Sequence, residues 1–425
     1  MKRSTHLAAE RCRANAAGAM ARARSAAIAA VLVGLLMPAL GSAGTTDVVP
    51  KGLFVFDIAY MNSTTDKAFG DGREVLPLLE GIKRYEPGGG LQGTVTANPF
   101  VRLRLITTQI LFGVTDNLTA VLALPYVLDA TIDTRMGWTP GDYQSQLGRP
   151  YSETDFWQWA GSMGQPRPVQ RWVGNQGVLA DLVLAARYRL PRPELLRRWN
   201  IQWAVHLQGA LPTGVEPDPE DLVTAGTSAW HLHSYADLEL HLAADKRFSW
   251  GGVDRLTVGV DSYFGWLRPR TFVTPAGLKH PLLLNLRPYV GDTYTVDGGD
   301  WLASSFVIDV VALVGPTFAT WLSKGRLDVA RSFPPLVTLT VSYRYLHTAQ
   351  SDWTSKSDLW DWKNEKAWRP GDKQTFNATA TLGLLRLGAP LQLYVSWRTQ
   401  ELVAGRNTRP ANVLSVGTRL FAAFW

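Results

Sequence analysis

A transmembrane antiparallel up-and-down β-barrel of about twelve strands, with fourteen as the alternative, is the all-β fold that this sequence predicts, and three observations predict it. Apolar side chains alternate with polar ones at period two in segment after segment, which gives each strand one face for hydrocarbon and one for a wetter interior. Past the first 43 residues, no stretch of about 18 uninterrupted apolar residues could serve as a spanning helix. The connections alternate between long and short, the asymmetry of membrane barrels with long outer loops and short periplasmic turns.

The first 43 residues stand apart. "MKRSTHLAAERCRANAAGAMARARSAAIAAVLVGLLMPALGSAG" has a basic leader, an apolar run from about Ala26 to Leu40, and small residues at Gly41 and Ala43. This is the layout of a secretory signal peptide over 1–43 with cleavage near Ala43, and Pro38 and the short run argue against a membrane anchor. The remainder, 44–425, reads as one outer-membrane β-barrel domain.

Charge and cysteine follow from that division. The leader carries Lys2, Arg3, Arg11, Arg13, Arg22 and Arg24 against Glu10, about +5 of the formal +7. The rest is almost neutral, so no basic excess remains to release counterions from phosphates and no nucleic-acid partner is expected. The only cysteine, Cys12, lies in the leader, which excludes disulfides and thiolate chemistry from 44–425. Neither a cofactor nor a resident metal is expected.

Twelve strands are predicted, at 53–62, 99–113, 118–129, 178–190, 200–211, 229–243, 255–267, 303–314, 336–347, 375–386, 390–400 and 412–424. In "IQWAVHLQGAL", Ile201, Trp203, Val205 and Leu207 oppose Gln202, His206 and Gln208. "FNATATLGLL" and "LQLYVSWRT" repeat the pattern, with Leu391, Leu393, Val395 and Trp397 against Gln392, Tyr394, Ser396 and Arg398 in the latter. The final stretch "VLSVGTRLFAAFW" places Leu414, Val416, Leu420, Ala422 and Phe424 on one face, an apolar band ending in aromatics. It must pair with the first strand, "GLFVFDIAY", because an open sheet edge in lipid leaves backbone groups unsatisfied. The same C-terminal strand is the segment offered to the barrel-assembly machinery, and outer-membrane lipid is the expected surrounding. "LNLRPYVGDTYTV", near 285–297, is the segment that would raise the count to fourteen. "GPTFATWLSKGRLDVARSFPP", 315–335, is an unusually long even connection able to hold a short amphipathic helix.

Two stretches carry a family resemblance. "FGVTDNLTAVLALPYV", 112–127, is a strand, a tight Thr-Asp-Asn turn, a second strand and a Leu-Pro-Tyr ending. "GALPTGVEPDPEDLVTAGTSAWHLHSYADLELHLA", 209–243, is a strand ending in Leu-Pro-Thr-Gly, a loop, and a returning strand. Together they resemble the outer-membrane transporters of the MetA pathway of phenol degradation. The resemblance implies an outer-membrane barrel that is a channel for passive uptake of a small hydrophobic or aromatic solute, and it brings no catalytic residue with it.

The face opposite the apolar set carries the candidate pore-lining charges. They are Asp57, Arg102, Arg104, Asp181, Arg187, Arg189, Asp237, Glu239, Asp261, Asp309, Arg344, Arg398 and Arg419. Charges at membrane depth must face a lumen or pair with one another. Two readings follow: a charged pore that selects solutes, or a salt-bridged interior that plugs a structural barrel whose Trp-rich loops bind a partner. In those loops Trp157, Trp159, Trp353, Trp360, Trp362 and Trp368 could stack on a solute, sit in an interfacial belt, or pack as a lid. The row His231, His233, Tyr235, Asp237, Glu239, His241 has metal-ligand chemistry, but it is an ordinary polar lumen face longer than one coordination sphere. Ser228, His231, His347 and Asn377 have the residue types of a rim hydrolase, but no motif links them, and an enzyme is not expected.

Overall fold

The computed structural model describes residues 45–423 apart from 78–81, 86–89, 143–148, 163–170, 175–176, 215–237, 252, 275–290, 298, 316–334, 351, 357–369, 401–404 and 409. The leader therefore lies outside the described residues, as do Asp237, Trp360, Trp362, Trp368, Ser228, His231 and His233. So does most of the 315–335 connection.

Twelve antiparallel strands form a closed barrel, each paired with its sequence neighbours. They are β1 Leu53–Thr65, β2 Leu91–Thr115, β3 Leu118–Pro140, β4 Leu182–Arg189, β5 Ile201–Leu211 and β6 Leu238–Trp250. The second half comprises β7 Val253–Trp266, β8 Trp301–Leu313, β9 Val337–Thr348, β10 Gly371–Gly383, β11 Leu391–Thr399 and β12 Asn412–Ala423. Closure runs through β1 and β12, in register from Leu53 opposite Ala423 to Thr64 opposite Asn412. The apolar ending thus completes the wall of the barrel, and no wall strand keeps an unpaired edge in lipid.

Parity along each strand sorts the side chains. Ile58, Leu184, Leu207, Leu240, Val260, Phe306, Val341, Val395 and Val416 are exposed and outward, and successive neighbours turn inward. An exposed apolar surface of this extent on every strand needs hydrocarbon against it, not water. The inward set includes Asp57, Thr107, Gln109, His206, His241, Thr257, Asp309, Gln392 and Arg419, all buried.

Short connections gather at the end of the barrel where β1 begins and β12 finishes. β2 and β3 are joined through Asp116 and Asn117. β6 turns into β7 through Gly251 at φ +62°, a left-handed conformation that glycine adopts without a Cβ clash. β4 and β5 are linked by the five-residue helix α2, Glu194–Arg198, and β10 and β11 by a 3₁₀ turn at Leu385–Leu387. The long connections are at the other end, the extracellular one by barrel convention, except for 314–336 between β8 and β9, which joins strand ends on the short-turn side.

Three expectations are corrected. The sixth strand, expected at 229–243, continues to Trp250, because the alternation runs on through Ala244 and Lys246; its described part is Leu238–Trp250, and 229–237 lie outside the described residues. The segment near 285–297 adds no barrel strand among its described residues, 291–297. There Thr293–Asp297 lies in a separate three-stranded sheet with Arg270–Val273 and Asp352–Ser355, which ties the connections after β7 and β9 together. β2 and β3, finally, reach 25 and 23 residues, about twice the nine to eleven that a tilted spanning strand needs. Their excess forms a two-stranded ribbon beyond the bilayer, against which the helix α1, Glu153–Ser162, packs Phe156 and Trp157 onto Val95, Met136 and Trp138.

Candidate functional site

The lumen is the candidate site, and its inward charges gather in three groups. At the short-turn end, residues preceding β1 fold into the bore as a strap. Asp245 of β6 is fully buried and its carboxylate accepts four hydrogen bonds. Thr45 donates its N–H and Oγ1–H to Oδ1 at 3.1 and 2.6 Å, and Thr46 donates its own pair to Oδ2 at 2.7 and 2.6 Å. Asp47 pairs with Arg247, and its carbonyl accepts from Arg187 Nη1 at 3.3 Å. Val49 N–H donates to Thr119 Oγ1 of β3 at 2.7 Å, and Gly52 N–H to the Gly113 carbonyl of β2 at 2.8 Å. β6 and β2 stand four strands apart on a twelve-strand circumference, so the strap is a chord across the bore. Gly113 and Gly259 make room for it: a Cβ on Gly113 would lie 1.9 Å from the Pro50 carbonyl oxygen, and one on Gly259 would lie 2.3 Å from Asp245 Oδ1.

The second group lies on the closure seam. Arg419 of β12 donates from Nε to Asp57 Oδ2 of β1 at 2.7 Å and from Nη1 to Gln392 Oε1 of β11 at 3.0 Å. Its guanidinium stacks over the Tyr394 ring at 4.4 Å, and Tyr394 Oη donates to Asp57 Oδ1 at 2.8 Å. Tyr394 can lie flat against the wall because Gly417 faces it, where a Cβ would stand 2.4 Å from the ring. Every charge in this group is compensated, as burial requires.

The third group crosses the opposite wall. His206, His241 and Tyr263 are cross-strand neighbours on β5, β6 and β7, and their rings stack with centroids 4.7 and 4.4 Å apart. Trp301 of β8 meets Tyr263 edge-on at 6.5 Å, its indole laid over Gly265. His241 lies between two carboxylates, Glu239 Oε2 and Asp261 Oδ2, each at 3.2 Å. Arg344 of β9 places its guanidinium over the Tyr263 ring at 4.8 Å. Four buried polar atoms here, His206 Nε2, Tyr263 Oη, Trp301 Nε1 and Arg344 Nε, have no hydrogen-bond partner among the described residues. Among the described residues no group of three or more His, Cys, Asp or Glu has metal-holding geometry.

The remaining charges expected in the pore fall as follows. Asp309 faces inward and accepts from Thr340 Oγ1 at 2.5 Å. Arg398 is on the inner face of β11, opposite Asn377. Asp181 is buried beside β4 and accepts from Gly214 N–H at 2.8 Å. Arg189 is at the periplasmic rim, where it binds Asn117 Oδ1 and the Asp116 carbonyl. Arg102 and Arg104 do not line the lumen. Arg104 is opposite Asn62, which is opposite the outward Leu414, so all three share the outer face, and Arg102 opposite Thr64 follows the same parity. Beyond the apolar band Arg104 forks onto Asp129, with Nε to Oδ1 at 2.9 Å.

Trp157 and Trp159 serve the projecting ribbon. Trp157 Nε1 donates to Glu153 at 3.1 Å, and Trp159 carries the Arg84 guanidinium 4.1 Å above its ring. Trp353 belongs to the Asp352–Ser355 strand of the outer sheet. Outside the bilayer, Arg149 and Ser152 bind the Asp155 carboxyl of α1 and hold it well below the usual carboxylate range. At the extracellular rim His347 Nδ1 is 2.8 Å from Asp372 Oδ1, and Asn377, five residues along β10, is bonded to Ser396 instead. His347 and Asn377 are thus held apart and form no catalytic set.

No family model matches this sequence, and no curated protein does. Among solved structures, the chain is similar to an outer membrane channel from Pseudomonas putida F1, at 12% identity and TM-score 0.50, over 90% of this chain and 99% of that one. Matches to the CymD monoaromatic hydrocarbon channel and to a FadL homologue of Pseudomonas aeruginosa reach TM-scores of 0.32 and 0.30, at 9% identity each. They cover 88% and 87% of this chain and 89% and 90% of theirs. At such identities the likeness is one of fold, and that fold is the outer-membrane β-barrel.

Proposed function

We propose that the protein is an outer-membrane channel that admits small hydrophobic or aromatic solutes by passive diffusion. The observation that carries this reading is the third lumenal group. A sealed protein core leaves few buried polar atoms unpaired, because each costs about 1–3 kcal/mol. Four such atoms beside one aromatic stack indicate an interior whose hydrogen bonds are completed by solvent or solute. The stack of His206, His241, Tyr263 and Trp301 gives this level of the lumen wall an aromatic character suited to an apolar passenger. The resemblance of 112–127 and 209–243 to transporters of aromatic degradation points the same way. Residues 1–43 are in this reading an export signal, and β12 is the strand handed to the barrel-assembly machinery.

The test is entry of toluene and benzyl alcohol into liposomes that hold the membrane-extracted protein, with single-channel conductance recorded in parallel. Solute entry above that of empty liposomes supports the reading, and entry equal to theirs overturns it. The strap favours a second reading, a plugged structural barrel whose outer loops bind a partner. In that case removing the strap's anchors would leave conductance at zero.

A further inference from the structure

The outer face of the barrel changes from apolar to basic on one sector. Tyr60 of β1, Ile106 of β2 and Tyr126 of β3 stand in one cross-strand row, and both tyrosines are exposed, as an interfacial belt requires. Counted from the outward Phe54, the nine to eleven residues of a spanning strand end between Asn62 and Thr64 of β1. The outward rows above the belt therefore stand among the outer headgroups. The first holds Arg104 and Asp129, the second Arg102, and the third Asp133 and Arg171, with Arg135 following on the same parity of β3. A bulge at Leu128 brings Asp129 opposite Arg104 and so sets this pattern. Arg104 pairs with Asp129, and Arg171 with Asp133 at 3.6 Å, yet the two arginine side chains remain 41% and 66% exposed. On these strands the described residues of the face carry two more positive charges than negative. Asp66, just past β1, and Lys83, opposite Thr94 of β2, add one charge of each sign at the margin.

We infer that this patch binds the phosphate groups of the outer leaflet's phosphorylated glycolipid, with the acyl chains lying on the apolar wall below Tyr60 and Tyr126. Depth selects the occupant: the arginines begin one outward position above the aromatic row, where acyl chains give way to phosphate. Arginine donates in a planar fork that matches phosphate oxygens. Strands about 4.8 Å apart and outward positions about 6.6 Å apart place the four arginines in a patch on the order of 10 Å wide and 20 Å high, the scale of a lipid headgroup. Asp129 and Asp133 orient Arg104 and Arg171, and the charge of Arg102 and Arg135 exceeds what those two carboxylates neutralise. Ile58, exposed directly below Tyr60, continues the surface downward into hydrocarbon. The inference is independent of the channel reading, because a lipid held outside the wall takes no part in what crosses the lumen.

The test is titration of the membrane-extracted protein, stripped of lipid by detergent exchange, with diphosphoryl lipid A, the bound lipid being counted by native mass spectrometry. Lipid A should bind at least tenfold more tightly than its dephosphorylated form with the same acyl chains. An R102Q/R135Q variant leaves the Arg104–Asp129 and Arg171–Asp133 pairs in place and should lose about tenfold or more of the lipid A affinity, the scale of a charge-assisted hydrogen bond. R197Q/R198Q removes the same charge from the periplasmic helix α2 and should keep that affinity. Folding of each variant is checked by heat-modifiable gel mobility, and should R102Q/R135Q not fold, the comparison of the two lipids on the unaltered protein decides. Equal binding of the two lipids would mean that acyl chains alone hold them. That result, displacement of lipid A by equimolar inorganic phosphate, an unchanged affinity in folded R102Q/R135Q, or an equal loss in R197Q/R198Q would each overturn the inference.

Discussion

Replacing Asp245 with alanine tests whether the strap closes the bore. Asp245 accepts four hydrogen bonds from Thr45 and Thr46, each to a charged acceptor. At about 1.5–3 kcal/mol apiece, they contribute roughly 6–12 kcal/mol to holding the strap. Ordering the backbone of the six residues 45–50 costs about 1–2 kcal/mol each, or roughly 6–12 kcal/mol in all. The two magnitudes match, so the closed state stands on the smaller contributions of the Asp47–Arg247 pair and the Val49–Thr119 bond. Losing the carboxylate therefore moves the equilibrium several kcal/mol toward a released strap. In planar bilayers D245A should show longer open dwell times and a larger main conductance than the unaltered barrel. A cysteine introduced at Thr46, buried in the strap, should become reactive to a periplasmic thiol reagent in D245A alone. Unchanged conductance together with an unreactive cysteine would refute the reasoning, because the carboxylate would then not be what seats the strap.

Three further outcomes are expected. Asp57→Ala leaves the Arg419 guanidinium buried without its carboxylate and should cost about 3–5 kcal/mol, read from urea denaturation in micelles. Gly265→Ala drives a Cβ into the Trp301 indole and should destabilise by about 1–3 kcal/mol; Trp301→Ala in the same chain should recover part of that loss. The third concerns acid. Because Arg149 and Ser152 depress the Asp155 carboxyl, its contribution is complete above the unfolded value of about 3.9 and is lost as pH falls through the lower folded value. Hydrogen exchange in α1 should thus be unaffected by the Asp155 contact between pH 7 and 5 and accelerate only below about pH 4, whereas Asp155→Asn should show fast exchange throughout.

The barrel itself was legible because lipid imposes one rule on every strand. Wherever a strand crosses hydrocarbon, as in Ile201–Leu211 or Leu391–Thr399, apolar residues fall on the outward parity and the reading is direct. The rule lapses where strands leave the bilayer, and Arg102 and Arg104 show why. In the lower half of β2 the apolar set Ile106, Ile110 and Phe112 points outward. In the upper half Leu103 and Leu105 point inward, where Leu105 packs with Met61 and Val413. The apolar face inverts within one strand, so assuming a single parity sends both arginines to the wrong side. The strap was invisible for another reason: "TTDVVPKG" has no periodicity, and only the placement of Asp245 two hundred residues away gives Thr45 and Thr46 their partner. Side-chain pairing within the lumen depends on which strands become neighbours and in which register, and no local pattern carries that.

Closure of the barrel also sets an order of events for assembly. Eleven of the twelve wall pairings join strands consecutive in sequence, and the twelfth brings β12 to β1, with Asp57 and Arg419 separated by 362 positions. Loop-closure entropy rises as the logarithm of length, so joining that seam costs about 3 kcal/mol more than closing a ten-residue hairpin. Hairpins such as β2–β3 can pair as soon as their two strands emerge, while the seam must wait for the last residues of the chain. The Asp57–Arg419 pair, with Tyr394 and Gln392 around it, thus forms late. Weakening it should leave the rate of insertion almost unaltered and speed the opening of the finished barrel, so the seam governs how long the folded state lasts once made.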